Sequence, residues 1–257
     1  MTVSVSGLIV YLLVFVRLVA CLAFNPIFNR TAWPSQTRMG FILLLTLLVA
    51  PNVPYVELGS PNFPQMVGYI IIEVLVGLFL GFIIQIYSLL LAFAGEILDS
   101  QFGLAMAKNF DPATDVQSGA VGGILNMLLV MFILVSNAHL EMIEAFVRTF
   151  EIIPFGTFVN VNTICAFVFS TFIDTFNLVI RLVLPFVVCE FLLEISLGIL
   201  MKMIPQIHVF VINIQLKILL GILLMILLSG SLSMYLNNYI DKAVDTMQNA
   251  IVEISLK

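Results

Sequence analysis

Long runs of apolar residues with almost no charge dominate this chain. One such segment extends from Gln65 to about Leu98, and its only charged residues are Glu73 and Glu96. A helix needs about 20 apolar residues to cross the hydrocarbon core of a bilayer. This run therefore predicts a membrane helix that is strongly tilted, broken or extended beyond the lipid.

Composition places the whole chain in the same class. Hydrophobic residues make up 61% of the 257 positions, charged residues make up 10%, and the mean hydropathy is +1.17. A soluble domain of this size needs far more charge to cover its surface. The ten Lys and Arg residues are scattered singly without a basic patch, which argues against nucleic-acid binding.

Three shorter apolar runs extend the pattern. The run from Val3 to Phe24 predicts a first crossing helix, whose single charge, Arg17, is expected to reach the interface by snorkelling. A second run, Met39 to Ala50, ends at a proline-rich surface loop. A further run, Ile124 to Val135, precedes an amphipathic, solvent-facing stretch that closes at Pro154.

The C-terminal part predicts a hairpin of two long helices. The first covers roughly Val161 to Met203 and is expected to kink at Pro185. The second runs from about Gln206 to Leu236 and continues into a more polar extension. The turn between them contains Lys202, Pro205, Gln206 and His208. With about six long helices and no soluble domain, the predicted fold class is an all-α integral membrane protein.

A polar segment between Gly95 and Pro112 interrupts the apolar pattern. It carries the acids Glu96, Asp99 and Asp111 together with several small residues. Irregular backbone is tolerated at membrane depth only inside protein or beside water. The segment is therefore expected to lie in or across a conduit.

Several charged residues lie within the apolar helices and not at their ends. A charge at mid-bilayer costs roughly 2.5–3.5 kcal/mol, so buried partners are expected. We predict that Lys217 pairs with Glu190 or Glu194, which share a helix face and lie level with it across the hairpin. Such groups either fix helix register as ion pairs, the favoured interpretation, or handle protons or substrates. The other members of this predicted buried polar set are Glu73, Glu96, Asp99, Asp174 and Arg181.

Two glycines follow Glu73 on the same helix. Gly77 and Gly81 form a GxxxG pair, which permits close approach of a neighbouring helix. Glu73 lies one turn before Gly77 on the same face. The pair therefore predicts a helix contact beside a charged residue.

Histidine and cysteine offer no catalytic or metal-binding pattern. His139 and His208 are the only histidines, and neither HExxH nor GxSxG occurs. Cys21, Cys165 and Cys189 sit singly in apolar runs, without disulfide or metal-ligand spacing. No glycine-rich nucleotide loop is present. We expect no enzymatic activity, no metal and no cofactor.

A set of motif residues occurs in a fixed order along essentially the whole chain, and in that order it resembles the FliR family. This family is an integral export-gate subunit of the flagellar type III secretion apparatus, with counterparts in virulence injectisomes. The residues are Arg17, Pro26 and Arg38; Glu73, Gly77 and Gly81; Gly95, Glu96, Asp99, Gln101, Gly103, Asp111 and Pro112; and Leu184, Pro185, Glu190, Gly198, Pro205, Gln206, Val209, Phe210, Lys217 and Gly221.

The resemblance implies one FliR-like copy in a helical membrane complex with FliP-like and FliQ-like subunits. Residues 1–157 would then be FliP-like, and residues 158–257 would form a FliQ-like hairpin. FliB-like and FliA-like export components and unfolded protein substrates would be further partners. The expected location is the bacterial inner (cytoplasmic) membrane at the flagellar basal body.

The resemblance also implies that the loop 103–116 acts as a plug of the closed channel. Small residues can pack there without strong anchoring, and methionine suits a deformable seal because it is flexible. From the residues alone, an ordinary loop between helices is the simpler interpretation. The plug residues would be Gly103, Leu104, Ala105, Met106, Lys108, Phe110, Asp111 and Pro112.

Two functions of different classes follow from the sequence. The first is a non-catalytic subunit of the flagellar type III protein export gate. The alternative is a small-solute secondary transporter, supported by acids and a lysine inside apolar helices. Transporters of that kind usually show internal repeats, and none is visible here.

Overall fold

The computed structural model describes residues 5–23, 25, 34–53, 62–105, 119–157, 159–204 and 209–255. Every regular element in these ranges is helical, which confirms the all-α fold class. The described ranges contain eight α-helices, and a short 3-10 turn, Ala50–Asn52, follows the second. They are α1 Val5–Ala23, α2 Ser35–Val49, α3 Phe63–Gln101, α4 Ala120–Val135, α5 Ala138–Ile152, α6 Val161–Met203, α7 Val209–Leu227 and α8 Ser229–Ser255.

The long apolar run folds as α3, a single unbroken helix of 39 residues. This excludes the broken alternative. The helix also continues through Glu96 and Asp99, so the first part of the polar segment is helical and not loop. Its apolar residues are compatible with regular helix because no proline interrupts them after the first turn.

The predicted hairpin forms with one difference. Its first arm, α6, runs through Pro185 as one helix, and the kink expected there stays a prediction. Its second arm divides at Leu228 into α7 and α8, which are bent by 66°. The sequence predicted one continuous second arm. That prediction was wrong: Ser229, Gly230 and Ser231 directly follow the break, and Gly/Ser pairs are a known cause of sharp helix bends.

The chain divides into two compact units, each composed of separate segments. The first contains Met1–Tyr87, Ile133–Phe172 and Asp241–Lys257, and the second contains Ser88–Phe132 and Ile173–Ile240. In the first unit, α2 packs on α1, and Ile42, Thr46 and Val49 form the buried stripe of α2. The division of the chain into residues 1–157 and 158–257 stays a prediction.

One helix in the described ranges, α3, is by itself long and apolar enough to cross a membrane. The number rises to three if α4 with α5 and α7 with α8 each count as one bent crossing. Many large apolar side chains on these helices are exposed. Leu47 on α2, Met127 on α4 and Ile226 on α7 are each more than 60% exposed. Such a surface requires lipid or protein against it.

Candidate functional site

The first compact unit contains a fully buried ion pair. Arg17 on α1 and Glu73 on α3 form an ion pair through Arg17 Nε and Glu73 Oε2, with both side chains essentially inaccessible to solvent. The expectation that Arg17 reaches the membrane interface was therefore wrong. The partner carboxylate lies 56 positions away in the sequence. A local sequence pattern cannot reveal such a partner, which makes burial of the cation tolerable.

Arg17 also caps the C-terminal end of α5. Its guanidinium donates to the carbonyl oxygens of Thr149 at 3.1 Å and Ile153 at 3.1 Å, and to Thr149 Oγ1 at 3.3 Å. The ring of Phe150 lies 4.4 Å from the guanidinium carbon. The Thr149 carbonyl also accepts the N–H of Ile153 at 2.8 Å, and the carbonyls at the end of a helix carry partial negative charge that attracts a cation. One arginine therefore links α1, α3 and α5.

The GxxxG pair brings α3 against α1 beside this ion pair. A Cβ atom on Gly77 would lie 2.6 Å from both Ala20 Cβ and the Arg17 carbonyl oxygen. A Cβ atom on Gly81 would lie 2.5 Å from the Cys21 carbonyl oxygen. Only glycine fits at either position, which confirms the predicted close helix contact. The contact holds the backbone of Arg17 close to the helix that carries Glu73.

The second unit contains the predicted ion pair of the hairpin. Lys217 Nζ on α7 donates to Glu194 Oε1 on α6, so one of the two predicted partners is confirmed. The Lys217 side chain is 13% exposed and that of Glu194 is 46% exposed. Glu190, the other predicted partner, is fully buried, and neither of its carboxyl oxygens has a hydrogen-bond donor among the described residues.

Asp99, from the central polar segment, caps a neighbouring helix. Its Oδ1 accepts the N–H of Val121 at 3.0 Å, and its Oδ2 accepts the N–H of Gly122 at 3.3 Å. Both donors belong to the first turn of α4, where backbone N–H groups lack intrahelical acceptors. Asp99 is 2% exposed. This buried acid thus fastens the residues on the two sides of the 103–116 loop to each other.

The remaining predicted buried charges lie at the surface of this chain. Glu96, Asp174 and Arg181 are exposed, and Glu194 is only partly covered. This chain alone therefore does not bury these side chains, and their burial against another neighbour stays a prediction. The sequence shows that a charge lies in an apolar helix, but it does not show which face of that helix meets another helix.

The plug and turn predictions fall largely outside the described residues. Gly103, with φ +74°, Leu104 and Ala105 are half-buried just beyond α3. Lys202 is exposed in the last turn of α6. The predicted residues that lie outside the described ranges are Met106, Lys108, Phe110, Asp111, Pro112, Pro205, Gln206 and His208.

Sequence reasoning missed the partners of Arg17 on α5. Thr149 and Phe150 belong to a helix interpreted as solvent-facing, yet both are buried. The helix has a strong apolar face formed by Met142, Ala145 and Phe146, and that face was the available signal. Within the described ranges, no cluster of three or more His, Cys, Asp or Glu residues could hold a metal.

Comparison with known proteins gives the family. Residues 8–243 match the family of bacterial export proteins, family 1. The chain is 30% identical over 199 residues to flagellar biosynthetic protein FliR of Caulobacter vibrioides, covering 77% of this chain and 79% of that protein.

Two further relatives agree with this match. The chain is 30% identical over 213 residues to FliR of Escherichia coli, covering 82% of this chain and 80% of that protein. It is 27% identical over 216 residues to Yop proteins translocation protein T of Yersinia pestis, covering 82% of each chain. Together with the apolar helices and their buried charges, these matches show that the chain belongs to the FliR family of bacterial export proteins.

Proposed function

We propose that this chain is a non-catalytic subunit of the flagellar type III protein export gate. It would sit in the bacterial inner membrane at the flagellar basal body and line the channel for unfolded export substrates. The observation that carries the proposal is the family match over residues 8–243. The identity to FliR proteins, which are named for flagellar biosynthesis, supports a flagellar cargo.

The exposed apolar faces support a role inside a larger assembly. On α6 the exposed residues Leu184, Val188, Phe191 and Ile195 recur every three or four positions and form one stripe. On α7, Leu219, Ile222 and Ile226 do the same. The hairpin therefore presents two apolar faces, which suit FliP-like and FliQ-like neighbours as well as lipid. One copy per complex is the proposed stoichiometry.

The buried charges support a structural role. Arg17 is saturated by contacts from α3 and α5, and Asp99 is occupied by the first turn of α4. Groups engaged in this way hold helices together and are not available to a reacting substrate. This arrangement favours a non-catalytic subunit. From the family resemblance, we propose FliB-like and FliA-like components as further partners.

We also propose that the loop 103–116 is the channel plug. The hydrogen bonds from the first turn of α4 to Asp99 hold the residues before this loop against the residues after it. The cap keeps the end of α3 and the start of α4 together beside the proposed plug. The division into a FliP-like part, residues 1–157, and a FliQ-like hairpin, residues 158–257, belongs to the same proposal.

Purification in mild detergent tests this function. The tagged chain, expressed from its own locus, should copurify with other small membrane subunits in one large asymmetric particle. Mass determination should give a single copy of this chain. An unrelated inner-membrane protein with the same tag, prepared in parallel, should not recover those subunits.

The alternative, a small-solute secondary transporter, is favoured by one observation, the buried carboxyl of Glu190 without a bonded partner. Such carboxyls can bind protons or solutes in transporters. A self-sufficient monomer or symmetric oligomer that moves a small solute in vesicles would establish this alternative. It would also overturn the export-gate proposal.

A further inference from the structure

Glu190 is a buried acid without a bonded partner. It lies in the middle of α6 and has no exposed surface. No described residue donates a hydrogen bond to Oε1 or Oε2. A carboxylate anion in this position has lost its water and accepts no hydrogen bond in return, which is unfavourable.

The surroundings of Glu190 on its own helix are apolar. The buried stripe of α6 contains Val179, Leu182 and Phe186 before it. Phe186, one turn away, contacts the ring of Phe102 with centroids 6.1 Å apart. These neighbours exclude water and offer no hydrogen bond to an oxygen.

Two charged groups act on Glu190. Lys217 on α7 attracts its negative form, and Glu194, one turn later on α6, repels it. Lys217 is bonded to Glu194. Lys217 therefore attracts two carboxylates, Glu190 and Glu194, but forms a hydrogen bond with Glu194 only. Glu194 is 46% exposed, so water can solvate its charge if Lys217 leaves.

We propose that Glu190 is a proton-binding site whose occupancy selects the partner of Lys217. With the proton on Glu190, the lysine pairs with Glu194 and the three groups together carry no net charge. When the O–H bond of Glu190 breaks, the proton passes to solvent and the group of three carries one negative charge. Lys217 then exchanges its hydrogen bond to Glu194 for one to Glu190.

This exchange acts on the hairpin itself. Glu190 and Glu194 are one helical turn apart, so a lysine that changes partner changes the lateral contact between α6 and α7. A proton would thus be linked to hairpin packing, a property separate from the export role. The protonation of Glu190 can be measured on the full chain whether or not that role holds.

Infrared spectroscopy of the purified full chain, with any subunits that copurify, tests the protonation state. The wild-type protein at pH 7 should show a carboxylic-acid C=O stretching band. The band should be absent from E190Q, which keeps the shape of the side chain without a titratable proton. A wild-type spectrum at pH 7 without this band, or a band that persists in E190Q, would overturn the proposal.

Two variants that retain Glu190 test the exchange of Lys217. E194Q frees the lysine for Glu190, so the Glu190 band should disappear at a pH lower than in wild type by about one unit or more. K217M removes the cation, so the band should persist to higher pH. If neither variant moves the titration of the band, Lys217 does not exchange partners and the proposal fails. These variants decide the matter even if E190Q does not fold.

Discussion

Arg17 and Glu73 form an ion pair that is sealed from solvent inside the first compact unit. The same guanidinium donates to the carbonyls of Thr149 and Ile153 at the end of α5. Removal of the Arg17 guanidinium would leave the Glu73 carboxylate and the carbonyls of Thr149 and Ile153 without this hydrogen-bond donor. Stability of this unit should therefore depend on the pair more than on any surface charge.

Replacing one member of that pair should be severely destabilising. R17M should lower the free energy of unfolding by about 3–5 kcal/mol, because Glu73 stays buried without its counter-ion. The double variant R17M/E73L, which removes both charges, should recover much of this loss. Chemical denaturation in detergent measures both values.

The control for this experiment is the surface pair of Glu144 and Arg148, whose side chains are 61% and 58% exposed. R148M should change the free energy of unfolding by less than about 1 kcal/mol. An R17M variant as stable as R148M would show that the buried pair contributes no net stability.

The contact between α1 and α3 should tolerate no side chain at Gly77. G77A places a methyl group 2.6 Å from Ala20 Cβ and the Arg17 carbonyl oxygen. The helices must separate, at a cost of about 1–3 kcal/mol. The matched control is G68A on the same helix, where no atom lies within 4 Å of an added Cβ.

G68A should be neutral or stabilising by up to about 1 kcal/mol, because alanine favours helix over glycine. Thermal unfolding of the two variants side by side measures the difference. Equal melting temperatures would contradict the close helix contact.

Removing the carboxylate of Asp99 should loosen the start of α4. In D99A the N–H groups of Val121 and Gly122 lose their acceptors, and the loss of a cap costs about 1–2 kcal/mol. Hydrogen exchange at these two amides should accelerate. D99N keeps one acceptor oxygen and should show a smaller effect.

The neighbouring acid Glu96 is exposed and supplies the control for Asp99. E96A should leave exchange at Val121 and Gly122 unchanged. If E96A accelerated exchange as much as D99A, capping by Asp99 would not be the cause.

The hairpin ion pair should give a measurable but small coupling. Because Glu194 is 46% exposed, water screens its attraction to Lys217, and a double-mutant cycle with K217M and E194Q should give about 0.2–1 kcal/mol. A coupling of zero would remove this pair as a stabilising contact. The cycle is performed by denaturation at a pH where Lys217 is charged.

The plug proposal predicts a leak. Deletion of Gly103 to Lys108 should raise ion or small-molecule leakage through the assembled gate, since the closed channel would lose its seal. Dye efflux from vesicles that contain the purified complex measures it. Unchanged leakage from an intact particle would count against the plug.

The local sequence pattern was enough to predict the helices and some of the contacts between them. The apolar runs determined which segments are helical, and GxxxG at Gly77 determined where another helix could approach, because both depend on residues a few positions apart. The antiparallel register of a hairpin with a short turn predicted that Lys217 pairs with Glu190 or Glu194, and the structure selects Glu194. These features need no knowledge of distant parts of the chain.

Only the tertiary structure decided which charged side chains are buried and which groups they contact. Arg17 finds Glu73 and the end of α5, Asp99 caps α4, and Glu190 is buried without a bonded partner. Each outcome depends on which helix face meets another helix, and packing of segments distant in sequence fixes that choice. Apolar residues on all sides of these helices do not distinguish a face toward lipid from a face toward protein, so the sequence alone could not assign it.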